Sequence, residues 1–287
     1  MIPPRFEYSA PETLDEAISL LGEHGPDAVV LAGGQSLIPL MKLHLALPEH
    51  VVDINGIPGL AGISEDDGFL RIGSLTREND LERSEIVRSR YPILYDTAVV
   101  IADPLVRNMA TVGGNLAHGD PANDHPATML ALEAQVAAVG PTGERVIPVS
   151  DFFEGPLTTT LDHGEILTEI RIPTPPAGSG GAYLKLERKV GDYAIAGVAA
   201  MVTVADGVCQ RAGIGLTNVG STPVKADAAE SFLVGKRLDD DTIREAAQLA
   251  AQQADPSADL RGSEEYKRDM VRVISSRALR LALERAG

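Results

Sequence analysis

Apolar and polar positions change period several times along the chain, and each change marks an element. In "YSAPETLDEAISLLGEHGPDAVVLAGG" the apolar residues keep helical spacing from Leu14 to about Glu23. A Gly/Pro turn follows, and Ala28–Leu31 reads as a short buried strand. "SLIPLMKLHL" predicts a helix whose Pro39 falls in the first turn counted from Ser36, where a missing N–H costs least. "HVVDI" is then a second strand, completing a small α/β unit. "LAGISEDDGFLRIGSLT" has the short alternation of a hairpin, and "TRENDLERSEIVRSRYPILYDTAVVIAD" is mostly helical. A helix around Pro126–Leu132 should lead into a hairpin whose turn is Pro141-Thr142-Gly143-Glu144.

Proline and glycine cluster in "IPTPPAGSGGAY", between Ile172 and Tyr183, and cannot continue regular structure, so the domain break is expected there. Beyond it, "AYLKLERK" and "AGVAAMVTVADGVCQRAGIGLTNV" read as strands, followed by helices in "DDDTIREAAQLAAQQA" and "SEEYKRDMVRVISSRALRLALERA". In the last helix Met270, Val271, Ile274, Ala278, Leu281 and Ala282 form an apolar stripe, the mark of a face packed on its own sheet.

A length of 287 residues, at roughly 100 to 200 residues per domain, agrees with two domains. With 44% hydrophobic and 23% charged residues the composition is that of a globular protein. The net charge of −16 argues against a nucleic-acid partner, because a phosphate backbone needs a Lys/Arg surface to neutralise it. The single cysteine, Cys209, cannot supply the several thiolates of an iron–sulfur cluster or structural zinc site, so any such centre belongs to another chain. The first residues lack an apolar core of signal-peptide length, and no run of about 18 apolar residues occurs. The expected compartment is cytoplasmic.

Two segments carry candidate chemistry. "AGGQS", Ala32 to Ser36, places a glycine pair between a strand and a helix, where backbone can approach oxygen atoms with no Cβ in the way. Gln35 and Ser36 would add side-chain donors or a cap. "TVGGN", Thr111 to Asn115, repeats a hydroxyl, two glycines and a carboxamide, and if the fold joins the two loops they offer many donors to one diphosphate. On spacing alone the first reads rather as an ordinary strand-to-helix turn, and the second is open to a β-turn or bulge. Neither is a Walker A or a Rossmann Gly-x-Gly-x-x-Gly sequence. "GIGLTN", Gly213 to Asn218, imitates the latter without its third glycine and lies in a strand-like segment. His44, His118 and His125 lack the clustered spacing of metal ligands, so no metal site is expected, and no acidic or thiol partner is evident that would make His118 or His125 part of a nucleophilic triad.

Together "LAGGQSLIPLMKLHLALPEHVVDI", "IADPLVRNMATVGGNLAHGDPANDHPA" and "KLERKVGDYAIAGVA" resemble the FAD-binding medium subunits of molybdenum hydroxylases, the family related to xanthine dehydrogenase, with the aerobic carbon monoxide dehydrogenase group as the nearest match. The resemblance spans essentially the whole chain. It implies an α+β fold: a two-subdomain FAD-binding domain of the PCMH type over residues 1–176, divided near residue 55, then a C-terminal domain of residues 177–287 with a small antiparallel sheet plus helices. By matching position, Ala32, Gly33, Gly34, Gln35 and Ser36 together with Thr111, Val112, Gly113, Gly114 and Asn115 would hold the FAD diphosphate, and Asp124 would lie near ribityl or sugar hydroxyls. Ala102 and Leu167 would give backbone or apolar contacts, Lys185 would reach the flavin region, and Tyr193 would lie against the isoalloxazine ring. Some relatives carry histidine where this chain has Gln35.

The resemblance further implies an electron-transfer subunit that oxidises no substrate alone. Molybdenum chemistry would sit in a large subunit, and electrons would pass through the 2Fe–2S clusters of a small subunit to FAD and on to a quinone or other respiratory acceptor. A dimer of heterotrimers is implied, and any association with the inner face of the membrane would come through that complex. The competing readings are a flavin subunit of an N-heterocycle (nicotine- or quinoline-type) or aldehyde hydroxylase, a non-catalytic scaffold that has lost its cofactor, and a self-sufficient flavin oxidase. The intact glycines disfavour the scaffold, and the lack of an acid/base cluster disfavours the oxidase.

Overall fold

The computed structural model describes every residue from Met1 to Gly287. The chain begins with β1 (Glu7–Ser9), α1 (Leu14–His24), β2 (Ala28–Leu31), α2 (Leu37–Lys42) and β3 (His50–Asp53), and its strands form a parallel sheet in the order β1-β3-β2. Helix α1 starts where Thr13 Oγ1 accepts the Glu16 N–H and ends at Gly25, whose φ of 55° only glycine adopts readily. Its Ala17, Ile18 and Leu21 pack with Val52 of β3, as the helical spacing predicts.

The middle of the chain adds β4 (Ile63–Asp66), β5 (Phe69–Gly73), α3 (Glu78–Arg83), α4 (Glu85–Arg90), α5 (Pro92–Val100), α6 (Pro104–Arg107), α7 (Val112–Ala117) and α8 (Asp124–Ala131). It continues with β6 (Gln135–Gly140), β7 (Gly143–Pro148), the small hairpin β8 (Phe153–Gly155) and β9 (Thr158–Thr159), and β10 (Ile166–Pro173). Strands β4-β5-β10-β6-β7 make one antiparallel sheet in that order, with Leu70, Ile72, Val136 and Ile170 fully buried beneath the helices. The hairpin turn is tighter than expected. Gly140 pairs with Gly143, so Pro141 and Thr142 alone form the turn and Gly143 and Glu144 already belong to β7.

After the Thr174–Gly178 connection come β11 (Ser179–Leu186), β12 (Ala196–Ala205), β13 (Val208–Thr217), β14 (Val224–Lys225), α9 (Asp227–Leu233), α10 (Asp240–Gln253) and α11 (Glu264–Ala286). The four strands form an antiparallel sheet in sequence order. "GIGLTN" lies within and just after β13, as its alternation predicted. Glycines let helices press against both faces of this sheet: a Cβ on Gly215 would fall 1.9 Å from the Ala127 carbonyl of α8, and one on Gly180 would fall 2.1 Å from the Ala282 carbonyl of α11. Val271, Ile274, Ala278 and Ala282 of the predicted stripe are buried there, with Leu279 where Leu281 was expected. No helix is long and apolar enough to cross a membrane.

Because backbone is the obstacle at Gly215, no rotamer change can make room. Gly215→Val should lower the unfolding free energy by about 1–3 kcal/mol or more, read from urea denaturation of the full chain.

Candidate functional site

The two glycine segments meet. A Cβ on Gly33 would sit 2.5 Å from the Met109 carbonyl and 3.0 Å from the Thr111 nitrogen, so the turn after β2 lies directly on the segment that enters α7. Between them opens a cleft of about 680 Å³, closed on the far side by Ile166 and Leu167 of β10, Lys185 of β11 and the Gly191–Tyr193 segment.

The backbone N–H groups of Ala32, Gly33, Gly34, Gln35 and Ser36 donate to no oxygen of the chain. Gly34 holds a φ of 71°, which turns this backbone and favours glycine. Two side-chain expectations change. The Gln35 amide is spent inside the turn, donating to Gly33 O at 3.0 Å, and Ser36 makes no capping bond to α2.

The second segment also differs from the expected loop. Thr111 is the N-cap of α7, its Oγ1 accepting the Gly114 N–H at 3.2 Å, and both glycines lie in the first helical turn. Val112 N–H donates to Thr76 O and Gly113 N–H to Ser74 O, both at 3.0 Å. A Cβ on Gly113 would strike Ser74, and one on Gly114 would strike the capping Thr111 Oγ1. These glycines therefore allow the protein to pack on itself, while the free N–H groups come from the first segment. Val112 is a correction: its side chain is wholly buried in the central core and does not reach the cleft. Every other predicted residue lines the cleft.

Ala102 has the left-handed φ of 45°, held by Arg107 Nη1, which donates to Ile101 O and Ala102 O at 3.0 and 3.3 Å. A Cβ on Gly191 would lie 2.6 Å from Ala102 O, so this turn is the seat on which the Tyr193 segment rests. Tyr193 is 45% exposed, and the Arg261 guanidinium stands 5.8 Å from its ring centroid. Asp192 accepts from Arg261 at 2.9 Å and Arg188 at 3.1 Å, and these bonds hold its carboxyl down to about 2.

Asp124 and Lys185 are buried partners rather than separate contacts. Lys185 Nζ donates to Asp124 Oδ2 at 2.9 Å and to Val100 O at 2.8 Å, with Glu187 3.5 Å away. Tyr183 Oη donates to Asp124 Oδ1 at 2.5 Å and lies 3.1 Å from Thr217 Oγ1. Burial raises the Asp124 pKa, opposed by Lys185 and Tyr183, and burial beside that carboxylate pushes the Tyr183 phenol well up.

Sequence reasoning missed several residues. Tyr183 occupies an ordinary inward strand position. Asn55 and Arg77 tie the two glycine segments together but carry no motif. His118 lines the cleft, and burial lowers its pKa, Asp120 opposing, so it is neutral at pH 7. His125 does have an acidic partner: its Nε2 lies 2.7 Å from Glu78 Oε2, both side chains fully buried. Helix packing across forty-seven positions creates that pair.

These donors and acceptors suit a ligand that joins a diphosphate to hydroxyl and amide groups. Besides the free turn N–H groups, Ser74 Oγ and Asn115 Oδ1 are buried without a hydrogen-bond partner, and both residues line the cleft. Fold and cleft together define a protein built to hold a dinucleotide cofactor. Comparison with known proteins makes that specific. Residues 4–175 match the FAD binding domain in molybdopterin dehydrogenase, and residues 181–282 match the CO dehydrogenase flavoprotein C-terminal domain. The chain belongs to the family of FAD-binding medium subunits of molybdenum hydroxylases. It is 46% identical over 285 residues to the carbon monoxide dehydrogenase medium chain of Hydrogenophaga pseudoflava, covering 99% of each. It is 40% identical to subunit alpha of the 6-hydroxypseudooxynicotine dehydrogenase complex of Paenarthrobacter nicotinovorans, covering 100% of this chain and 97% of that one. Among solved structures, the carbon monoxide dehydrogenase of Hydrogenophaga pseudoflava superposes with a TM-score of 0.98 at 48% identity, over 100% of both chains. Quinoline 2-oxidoreductase from Pseudomonas putida 86 superposes with a TM-score of 0.94 at 34% identity, over 100% of this chain and 99% of that one. In this family molybdenum and iron–sulfur centres are carried by partner subunits.

Tyr183→Phe leaves the buried Asp124 Oδ1 without its donor and should cost about 1–3 kcal/mol of stability. The native Asp124 pKa is raised, so its contribution is fully favourable below the unfolded value and is lost as pH rises through the folded one. Losing the phenol raises that pKa further, so urea denaturation should show a deficit against wild type that grows as pH rises from the ordinary carboxylate range up through the folded pKa.

Proposed function

We propose that this chain is the flavin subunit of an aerobic carbon monoxide dehydrogenase, receiving electrons from the iron–sulfur clusters of a small subunit and passing them to a quinone or other respiratory acceptor. The observation that carries the cofactor's placement is the row of unpaired N–H groups from Ala32 to Ser36, facing Asn115 and Ser74 across one cleft. Carbon monoxide as the source of electrons rests on the 46% and 45% identity to two carbon monoxide dehydrogenase medium chains along their whole lengths.

In this reading the Ala32–Ser36 backbone and the Asn115 Nδ2 donate to the diphosphate, and Asn115 Oδ1 and Ser74 meet a hydroxyl or amide. Gly114 and Thr111 shape the wall beside it. Asp124 holds Lys185 at the edge of the cleft, so the two act as one unit; both Asp124 oxygens already accept from the protein, and hydroxyl binding there uses their remaining lone pairs. Ala102 and Leu167 supply the apolar floor, and Tyr193, fixed from behind by Arg261, covers the ring with an aromatic face. FAD, when bound, supplies the chemistry that joins one-electron delivery from the clusters to a two-electron acceptor. The chain's own residues bind and orient the group and exclude water from it.

The working unit is a dimer of heterotrimers with a large molybdenum subunit and a small iron–sulfur subunit, lying in the cytoplasm and meeting the inner membrane face through the complex. The domains divide at residues 1–176 and 177–287. A second reading, a flavin subunit of an N-heterocycle hydroxylase, draws support from the 40% identity to the 6-hydroxypseudooxynicotine enzyme and the TM-score of 0.94 to quinoline 2-oxidoreductase.

Anaerobic addition of carbon monoxide to the purified native complex should bleach the visible flavin absorption. Bleaching by quinoline- or nicotine-like substrates in its place would transfer the assignment to the second reading. Gly34→Val places a branched side chain at φ 71° and against Ile38 Cδ1, 2.7 Å from the Cβ, and the complex should then purify without its flavin bands.

A further inference from the structure

Asn55 stands just after β3, and its carboxamide joins parts of the chain that the sequence keeps far apart. Its Nδ2 donates to Ala32 O at 2.8 Å and to Asp53 Oδ1 at 2.6 Å, while its Oδ1 accepts from Arg77 Nη2 at 2.6 Å. One donor-only and two acceptor-only neighbours fix the orientation of this amide. The other arm of the Arg77 fork donates to Met109 O, the atom against which Gly33 packs. A single guanidinium thus touches the approach to the second glycine segment directly and the first segment through Asn55.

We propose that Arg77 and Asn55 form a hydrogen-bond relay that polarises the peptide at the N–H face of the Ala32–Ser36 turn and sets the spacing of the two glycine segments, making both residues positioning residues for the cofactor diphosphate. The proposal rests on the reading of this cleft as the FAD site. A carbonyl that accepts a strong hydrogen bond polarises its own peptide unit. Asn55, itself polarised by the Arg77 guanidinium, bonds the Ala32 carbonyl, and the same peptide presents the Gly33 N–H, which has no acceptor in the chain. Asp53 keeps the amide in place. Burial works to raise its pKa, but bonds from Tyr8 and Asn55 and the nearby Arg77 charge outweigh that and keep it ionised. Asn55 is exposed, and exposed polar pairs contribute little to folding. The relay therefore acts on ligand binding more than on stability.

The test uses the complex with its partner subunits, stripped of flavin and titrated with FAD, ADP and riboflavin, beside thermal melting of the stripped complex. Arg77→Gln and Asn55→Ala should each weaken FAD and ADP about ten-fold, leave riboflavin and the melting temperature unchanged, and lose no more when combined, because one broken link silences the relay. Unchanged FAD and ADP affinity, equal loss for riboflavin, losses that add in the double variant, or a parallel fall in melting temperature would each overturn the proposal. Wild-type complex that takes up no FAD would overturn the underlying reading as well.

Discussion

The approach of Gly33 to the Met109 carbonyl is the contact on which the cleft depends. A side chain there would meet the backbone of one continuous stretch, at the Met109 carbonyl and the Ala110 Cα, and backbone cannot rotate away. With hydrogen in place of Cβ, the turn after β2 lies flat on the entrance to α7, and the parallel unit of the first residues becomes one wall of a cavity whose other wall is the antiparallel sheet. The same economy recurs at Gly113 against Ser74 and Gly191 against Ala102, each a backbone meeting between segments far apart in sequence. The glycines set the width of the cleft, and the N–H groups left over by that tight turning supply its chemistry.

Buried charge then ties the C-terminal sheet to this framework. Lys185 and Tyr183 point from β11 to the Asp124 carboxylate at the start of α8, a helix that also lies on β13 where Gly213 and Gly215 let it approach. A buried ion pair gives back about what its desolvation costs, so its main consequence here is geometric. It holds the ammonium at one place on the cleft edge and makes that place depend on the docking of two domains.

Element type was legible wherever the hydrophobic period was long and caps were present, as in α1 with Thr13 and Gly25 at its ends. It failed at Thr111–Asn115, where two glycines and a valine argue against a helix and only the Thr111 cap and the neighbouring Ser74 and Thr76 carbonyls make one. The clustering of the two glycine segments was legible from family resemblance and not from spacing. Asn55, Arg77, Tyr183 and the Glu78–His125 pair stayed hidden because each is ordinary until tertiary packing supplies its partner. Val112 was misread because adjacency to glycines in sequence does not put a side chain on the same face.

A chain with a net charge of −16 is an unpromising host for a diphosphate, and the local arrangement explains how it becomes one. Charges more than about 8 Å away are largely screened at physiological salt, so the groups at the cleft decide. There Asp124 is matched by Lys185, Asp192 by Arg188 and Arg261, and Glu165 by Arg145, while burial keeps His118 neutral. With each of these carboxylates already held by a cation of the protein, what remains to face an anion is the set of oriented backbone dipoles in the Ala32–Ser36 turn. Dipoles fixed by the fold carry no desolvated net charge and need little reorganisation when an anion arrives. That is why glycine geometry, rather than a cluster of lysines, carries anion recognition in this protein.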